Sequence, residues 1–163
     1  MPPAAVTAPM RNYRGRFAPS PSGPLHFGSL VAAVGSYLDA KANKGSWLVR
    51  IEDIDTTRVV KNADTDILNT LQAYCLHWDE SVVYQTKRLD LYQDVVSSLE
   101  NQQCVYACHC SRKQIKALGG IYQGQCKNLG HPTHTGALRL TQCHATTHFN
   151  DLIQGDISVS SEL

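Results

Sequence analysis

The sequence lacks the features that would assign it to several broad classes of protein. Its formal net charge is only +1, so no overall positive field would draw it onto nucleic acid, and any RNA contact must be local. No apolar run is long enough to span a bilayer. The N-terminal MPPAAVTAP also lacks the apolar segment of a signal peptide. We therefore expect a cytoplasmic protein with no membrane partner, whose first 12 residues form a flexible leader; Met10 is an alternative start.

Six cysteines stand out in a sequence that shows no export signal. Without an oxidising compartment a disulfide framework is not expected, and a metal site or free thiols are favoured. Four of the six lie between residues 104 and 126. Cys75 and Cys104 are interpreted as small hydrophobic residues of the core.

The order of apolar patterns and breakers predicts an α/β protein. A short strand at 13–18 is followed by a loop rich in proline and glycine, a helix at 27–44 with Gly45 as its C-cap, and a mostly buried strand, SWLVRIEDID. Strand, loop, helix and strand form a βαβ unit, which implies a parallel sheet. Further along, the pattern predicts helices at 62–76, 87–102 and 111–118 with Ser111 as N-cap, strands VYACHC and ALRL, and a polar tail.

The loop RFAPSPSGPLHFGS, Arg16 to Ser29, raises the first functional question. A loop of small residues before a helix lets backbone amides approach an anion at the helix N-terminus. His26 could donate a hydrogen bond to phosphate oxygens, and Gly28 would permit close stacking by a flat ring. No Lys-Ser or Lys-Thr follows, so this is not a Walker A loop. The alternative is a proline-rich structural turn with a surface histidine.

The whole stretch resembles the first signature of the class I glutamyl-type aminoacyl-tRNA synthetases, with HFGS in the place of their His-Ile-Gly-His motif. The segment RIEDID, Arg50 to Asp55, matches the same family at the expected separation. HFGSLVAAVGSYLDAKA, LHWDE and GGIYQGQC resemble, more narrowly, the glutamyl-Q tRNA(Asp) synthetase family. The resemblance implies the N-terminal half of a Rossmann-type catalytic domain with a small zinc-binding insertion. It also implies a ligase that attaches glutamate to the queuosine base of tRNA(Asp).

The resemblance also implies roles for individual residues. It places the substrate glutamate against the segment Arg16, Phe17, Ala18, Pro19 and Ser20, with Glu52 taking the ammonium group and His26, Gly28 and Ser29 forming the catalytic motif. The chemistry agrees, because an arginine can pair bidentately with a carboxylate and a serine adds a hydroxyl. The alternative is an internal ion pair between Arg16 and Glu52. Asp53 and Asp55 are expected to orient the loop or cap the segment that follows.

Cys108, Cys110 and Cys126 supply three thiolates, whereas a structural zinc takes four ligands. The residues leave His109, Tyr122 and a later histidine as candidates for the fourth, although His109 should point away from its neighbours. The resemblance favours Tyr122. Three reduced thiols without metal are the alternative. Cys143, His144 and His148 could suggest a second metal site, but we interpret the histidines of this stretch as solvated loop residues.

The expected partners are L-glutamate, ATP with magnesium and tRNA(Asp) bearing queuosine, bound by a monomer with one structural zinc. The predicted organisation is a leader at 1–12, a catalytic half-domain at 13–103, a zinc-binding insertion at 104–150 and a tail at 151–163. No Lys-x-Ser-Lys occurs, although the family carries a Lys-Met-Ser-Lys-Ser-like loop in its second half. We therefore expect a truncated gene product, or one completed elsewhere, with little activity by itself. The alternatives are a non-catalytic zinc-stabilised remnant and a fragment of a glutamyl-tRNA synthetase.

Overall fold

The computed structural model describes residues 13–141 and 146–159. The chain divides into two compact units, one ending at Leu89 and the other beginning at Asp90. The structure thus groups nearly all of the third helix with the second unit, whereas the sequence-based boundary after residue 103 placed it with the first. Among the described residues no helix has both the length and the apolar character needed to cross a membrane.

The first unit is built on a three-stranded parallel sheet. Strand β1 (Arg14–Phe17), helix α1 (Phe27–Ala42) and strand β2 (Ser46–Ile51) are followed by helix α2 (Ala63–Ala73), strand β3 (Val83–Tyr84) and a 3-10 turn at Gln85–Arg88. The sheet order is β1-β2-β3, and Arg16 of β1 lies opposite Leu48 of β2. The predicted βαβ unit is confirmed. Strand β3 was not predicted, because two residues carry no periodicity.

The core of the first unit lies on one face of β2. Trp47, Val49 and Ile51 are buried while the residues between them are half-buried, so the strand alternates rather than being buried on both faces. The Trp47 ring is stacked with the ring of Phe17 and makes an edge-to-face contact with Tyr37, with ring centres 5.2 Å apart. Its indole N–H donates a hydrogen bond to Ser36 Oγ at 2.9 Å. Satisfying that donor lets a large aromatic side chain be fully buried.

Two expectations for the first unit are wrong: that Cys75 is a core residue, and that Gly45 is the C-cap of α1. Helix α2 ends at Ala73, and Cys75 is exposed with φ of 59°, so it is not a core residue. Helix α1 ends with Asn43 as C-cap, and Lys44, not Gly45, takes the left-handed conformation at φ 52°. Gly45 is needed for a different reason: a Cβ there would lie 2.3 Å from the carbonyl oxygen of Tyr13.

The described part of the second unit contains three helical segments and two antiparallel strand pairs. Its elements are α3 (Leu89–Asn101), β4 (Val105–Cys108), α4 (Arg112–Ala117), a 3-10 turn at Thr133–Thr135, β5 (Ala137–Leu140), β6 (His148–Asp151) and β7 (Gly155–Ser158). β4 pairs with β5, and β6 pairs with β7. Ser111 caps α4 as predicted, in a full capping box with Gln114. The β6–β7 hairpin replaces the predicted polar tail; Cys104 is half-buried, and Cys143 and His144 lie outside the described residues.

We expect Gly45→Ala to lower the free energy of unfolding by about 2 kcal/mol or more, because the new methyl group would clash with the Tyr13 backbone. The matched control is Gly35→Ala in α1, where a Cβ would meet no atom within 4 Å. That variant should gain up to about 1 kcal/mol, since alanine favours the helix. Urea unfolding of both proteins measures the difference, and equal stabilities would contradict the proposed close approach.

Candidate functional site

The two sequence motifs of the first unit meet at one edge of its sheet. β1 and β2 are adjacent and parallel, so the loop after Phe17 and the segment after Ile51 leave the sheet at the same end. The amide of Glu52 donates to the carbonyl of Pro19 at 2.9 Å, and the amide of Val60 donates to that of Pro21 at 2.9 Å. Backbone hydrogen bonds therefore join the proline-rich loop to the acidic segment.

Two depressions lie against the proline-rich loop. An open pocket of about 340 Å³ extends along it from the end of β1 to α1, and a much smaller one of about 20 Å³ lies on the side facing Glu52. Ser20 and Ser22 line both. The larger pocket is bordered by Phe17, Ala18, Pro19, Ser20, Ser22, Gly23, Pro24, Leu25, His26, Ser29 and Ala32. Asp55, Arg58 and Val59 complete the smaller one with Pro21 and Glu52.

His26 is the N-cap of α1, a role that the sequence analysis did not anticipate. Its Nδ1 accepts the amide N–H of Ser29 at 3.2 Å, and its Nε2 lies 3.0 Å from Ser29 Oγ. Because Nδ1 accepts, the proton of the neutral ring is on Nε2, which donates to the serine. A donor therefore stands at the positive end of a 16-residue helix, where an anion is favoured.

Gly28 leaves room for that histidine. A Cβ at Gly28 would lie 3.1 Å from Cε1 and 3.3 Å from Nδ1 of His26, which is tighter than ordinary contact. Ser29 bonds to both ring nitrogens, so the three residues assigned to the catalytic motif form one local arrangement. The serine thereby orients the imidazole ring.

The structure gives Glu52 a different ionic partner from the one considered above. Its carboxylate pairs with Arg50, two residues earlier on the same face, and Arg16 is exposed on β1. The alternative of an Arg16–Glu52 ion pair is therefore wrong. Arg50 is a functional candidate that the sequence analysis missed, although it begins the RIEDID motif.

The other assigned residues of β1 and its loop differ in what they can offer a ligand. Phe17 is 7% exposed and Pro19 is also buried, so these two residues would contact a ligand mainly through their backbone groups. Ser20 is exposed and Ala18 is half-buried.

Asp53 accepts hydrogen bonds from the amide and the hydroxyl of Thr86. Burial opposes the charged form of Asp53, but these hydrogen bonds outweigh burial and lower its pKa. It therefore ties the end of β2 to the turn after β3.

In the second unit Cys108, Cys110 and Cys126 form a compact group, hereafter the thiol cluster. Their sulfur atoms all lie within 4.8 Å of one another, and Cys108 and Cys126 are buried. Cys108 ends β4, Cys110 precedes the N-cap of α4, and Cys126 follows a turn at Gly124, whose φ is 82°. Tetrahedral zinc with bonds of about 2.3 Å needs sulfurs about 3.8 Å apart, so the cluster can hold a metal ion with little adjustment.

Tyr122 and Arg139 border the thiol cluster. The Tyr122 hydroxyl accepts the amide N–H of Cys126 at 3.0 Å, and the Arg139 guanidinium lies 3.7 Å from the centre of the Tyr122 ring. His109 faces elsewhere: it bonds to Thr135 Oγ1 at 2.9 Å and stacks on His131. The expectation that His109 points away from the thiols therefore agrees with the geometry. The sequence did not indicate Arg139, because the pairing of β4 with β5 is what brings this residue to the cluster.

The ionisation of these groups is interdependent. Burial opposes a charge on Cys108, but hydrogen bonds with Tyr122 and Arg139 outweigh it and lower its pKa to about 6. A hydrogen bond with Cys126, together with burial, raises the pKa of Cys110 to about 11. Burial and the bond with Cys108 raise the pKa of Tyr122. Without metal, the cluster thus favours one thiolate surrounded by donors that keep their protons.

Comparison with known proteins agrees with this fold. Residues 12–163 match the family described as tRNA synthetases class I (E and Q), catalytic domain, and the chain belongs to that family. It is 52% identical over 155 residues to the glutamyl-Q tRNA(Asp) synthetase of Shewanella oneidensis, covering 95% of this chain and 52% of that protein. The same enzyme of Colwellia psychrerythraea is 50% identical over 157 residues, covering 93% of this chain and 50% of the relative.

Solved structures point the same way. The glutamate-tRNA synthetase of Elizabethkingia anophelis superposes with a TM-score of 0.74 at 26% identity, over 91% of this chain and 37% of that one. The predicted α/β fold is therefore confirmed. It is the fold of a class I synthetase catalytic domain. The chain spans about half the length of the curated relatives it matches.

Replacing His26 by alanine should destabilise the first unit by about 1 kcal/mol, because α1 loses its N-cap. His26→Asn should stay near wild-type stability, since an asparagine oxygen can accept the Ser29 amide. Chemical unfolding followed by tryptophan fluorescence reports on this unit through Trp47. A His26→Ala protein as stable as wild type would show that the capping hydrogen bond contributes nothing.

Proposed function

We propose that this chain serves the ATP-dependent activation of glutamate and its transfer to the queuosine base of tRNA(Asp). The observation that carries the proposal is the hydrogen bond from the Glu52 amide to the Pro19 carbonyl, which unites the two synthetase motifs beside one pocket. The glutamyl-Q tRNA(Asp) synthetase relatives support the choice of substrate and acceptor. We further propose a cytoplasmic monomer.

The amino-acid end of the proposed site uses charge pairing. Arg16 is exposed on β1, directly before the loop that lines the larger pocket, and would pair with a carboxylate of glutamate, with Ser20 adding a hydroxyl. Glu52 would take the ammonium group, exchanging part of its contact with Arg50 for the substrate. Phe17, Ala18 and Pro19 would supply backbone and shape.

The activation step joins this end to ATP. A carboxylate oxygen of glutamate would attack the α-phosphorus of ATP, the bond from that phosphorus to the bridging oxygen would break, and pyrophosphate would leave. Magnesium, when bound, would neutralise part of the phosphate charge. His26 Nε2–H and the first amides of α1 would stabilise the charge on the phosphorus centre, with Gly28 and Ser29 holding the ring. Little covalent chemistry falls to the protein, so positioning and electrostatics carry the rate.

A second candidate function is a non-catalytic module stabilised by metal. It is favoured by the convergence of three thiols in the second unit, which could hold a structural metal ion. Glutamate-dependent pyrophosphate exchange separates the two. We propose exchange far below that of the longer relatives, whereas complete absence of exchange and of glutamate binding would favour the module.

The functional proposal predicts that glutamate is attached to queuosine-containing tRNA(Asp). Incubation with labelled glutamate and ATP should label this tRNA slowly, and queuosine-free tRNA(Asp) and tRNA(Glu) should remain unlabelled. Arg16→Met and Glu52→Gln should abolish labelling and glutamate binding. Arg14→Met is the matched control, because Arg14 lies on the same strand but pairs with Glu80. Label on tRNA(Glu) would instead indicate a glutamyl-tRNA synthetase fragment.

We also propose that one zinc ion is held by Cys108, Cys110, Cys126 and Tyr122. The donor set fits, since the three sulfurs converge and the Tyr122 hydroxyl is directed to the Cys126 backbone beside them. Bound zinc would fix the loops around α4 and leave no open position, so its role is structural. Because the ligands bind deprotonated, mildly acidic pH should release the metal.

Cys110→Ser should abolish stoichiometric zinc, measured by elemental analysis after dialysis, because it removes a ligand. Cys75→Ser is the control and should retain zinc, since Cys75 is exposed and lies in the first unit. Tyr122→Phe removes only the proposed oxygen ligand and should weaken binding. Full occupancy with unchanged affinity in Tyr122→Phe would rule out the tyrosine and favour a histidine.

A further inference from the structure

We propose that Arg139 is the positioning residue of the thiol cluster: it holds the Tyr122 ring in place as a ligand and supplies the positive charge that the anionic metal site needs. The inference rests on the metal site proposed above and adds to it a residue that contributes no ligand atom. Its basis is the position of one guanidinium over the Tyr122 ring, on the face of the β4–β5 pair that also carries Cys108.

Strand pairing places Arg139 on the side of the sheet that carries the cluster. In the antiparallel pair β4–β5, Arg139 lies opposite Tyr106 and Ala137 lies opposite Cys108. Residues two apart on a strand share a face, so Tyr106, Cys108, Ala137 and Arg139 all project from the same side. The small Ala137 side chain leaves space beside Cys108, and the longer arginine reaches it diagonally.

The contacts of Arg139 involve both a thiol and a ring. Its guanidinium carbon is 3.7 Å from the centre of the Tyr122 ring, within the range of a strong cation–π contact. The charge of the same guanidinium also interacts with the Cys108 thiol, and this interaction raises the pKa of Arg139. Tyr122 is in turn fixed at its hydroxyl by the Cys126 amide, so the ring is held at its face and at its oxygen.

Charge explains why an arginine belongs here. Three thiolates and a phenolate around a divalent zinc leave a net charge of −2 in a site where two of the sulfurs are buried. An uncompensated charge of this kind is costly away from water. The planar guanidinium can lie flat on the ring while donating to a sulfur, which a lysine ammonium cannot reproduce.

The packing of Arg139 agrees with this role. Its Nε is buried and makes no hydrogen bond among the described residues, so part of its hydration has been given up. This loss of hydration is expected if the contact with the Tyr122 ring and the negative charge of the neighbouring thiolates compensate for it. Loss of a neighbour that orients a metal ligand typically lowers metal affinity by about 10- to 100-fold.

The test measures zinc affinity by competition with a chromophoric chelator, using the whole chain. Arg139→Met should weaken binding by roughly 10- to 100-fold. Arg139→Lys, which restores charge but not the flat contact, should recover only part of the loss. The matched control is Lys127→Met, which removes an exposed positive charge next to Cys126 and should bind as wild type does.

Cobalt substitution supplies a readout that general destabilisation would not change in the same way. The visible spectrum of the cobalt-loaded protein should shift in Arg139→Met and remain unchanged in Lys127→Met, because only the former displaces the tyrosine oxygen. Wild-type affinity and spectrum in both Arg139 variants would overturn the inference, as would an equal loss in Lys127→Met. Failure of the wild-type chain to bind zinc would instead refute the metal site, and the inference with it.

Discussion

The parallel pairing of β1 with β2 is the constraint on which the first unit depends. It brings two loops that are more than 30 residues apart in sequence to one edge of a sheet, where the Glu52 amide bonds to the Pro19 carbonyl. Trp47 stabilises the pairing, because its ring packs against Phe17 of β1 and Tyr37 of α1. Without this register the proline-rich loop and the segment that begins at Glu52 would not be hydrogen-bonded to each other. The pocket is therefore a product of strand pairing as much as of its own residues.

The polar groups of the proposed active site are already engaged with one another. His26 is bonded to its own helix, and Glu52 is paired with Arg50. A ligand must exchange these contacts for its own, which favours substrates that present both an anionic and a cationic group. Such prior pairing also holds the side chains near their working positions, so less order has to be created on binding.

The second unit relies on other forces. Its strand pairs are short, and among its described residues only Ala107, Cys108 and Cys126 are buried. A cluster of thiols at the junction of β4, α4 and the Gly124 turn can replace a hydrophobic core if a metal joins its members. Arg139 and Tyr122 extend that junction to β5, so the site links strands to loops that share little apolar contact.

The sequence by itself determined the βαβ order, the capping of α4 and the grouping of three cysteines, because these follow from local periodicity, from a capping box and from short spacing. Strand β3 and the β6–β7 hairpin escaped prediction, since two to four residues gain their structure from partners rather than from their own pattern. Only the tertiary structure decided that Glu52 pairs with Arg50, that His26 caps α1, and that Arg139 lies over Tyr122. Each is a choice among several possible partners, and geometry, not residue type, selects it.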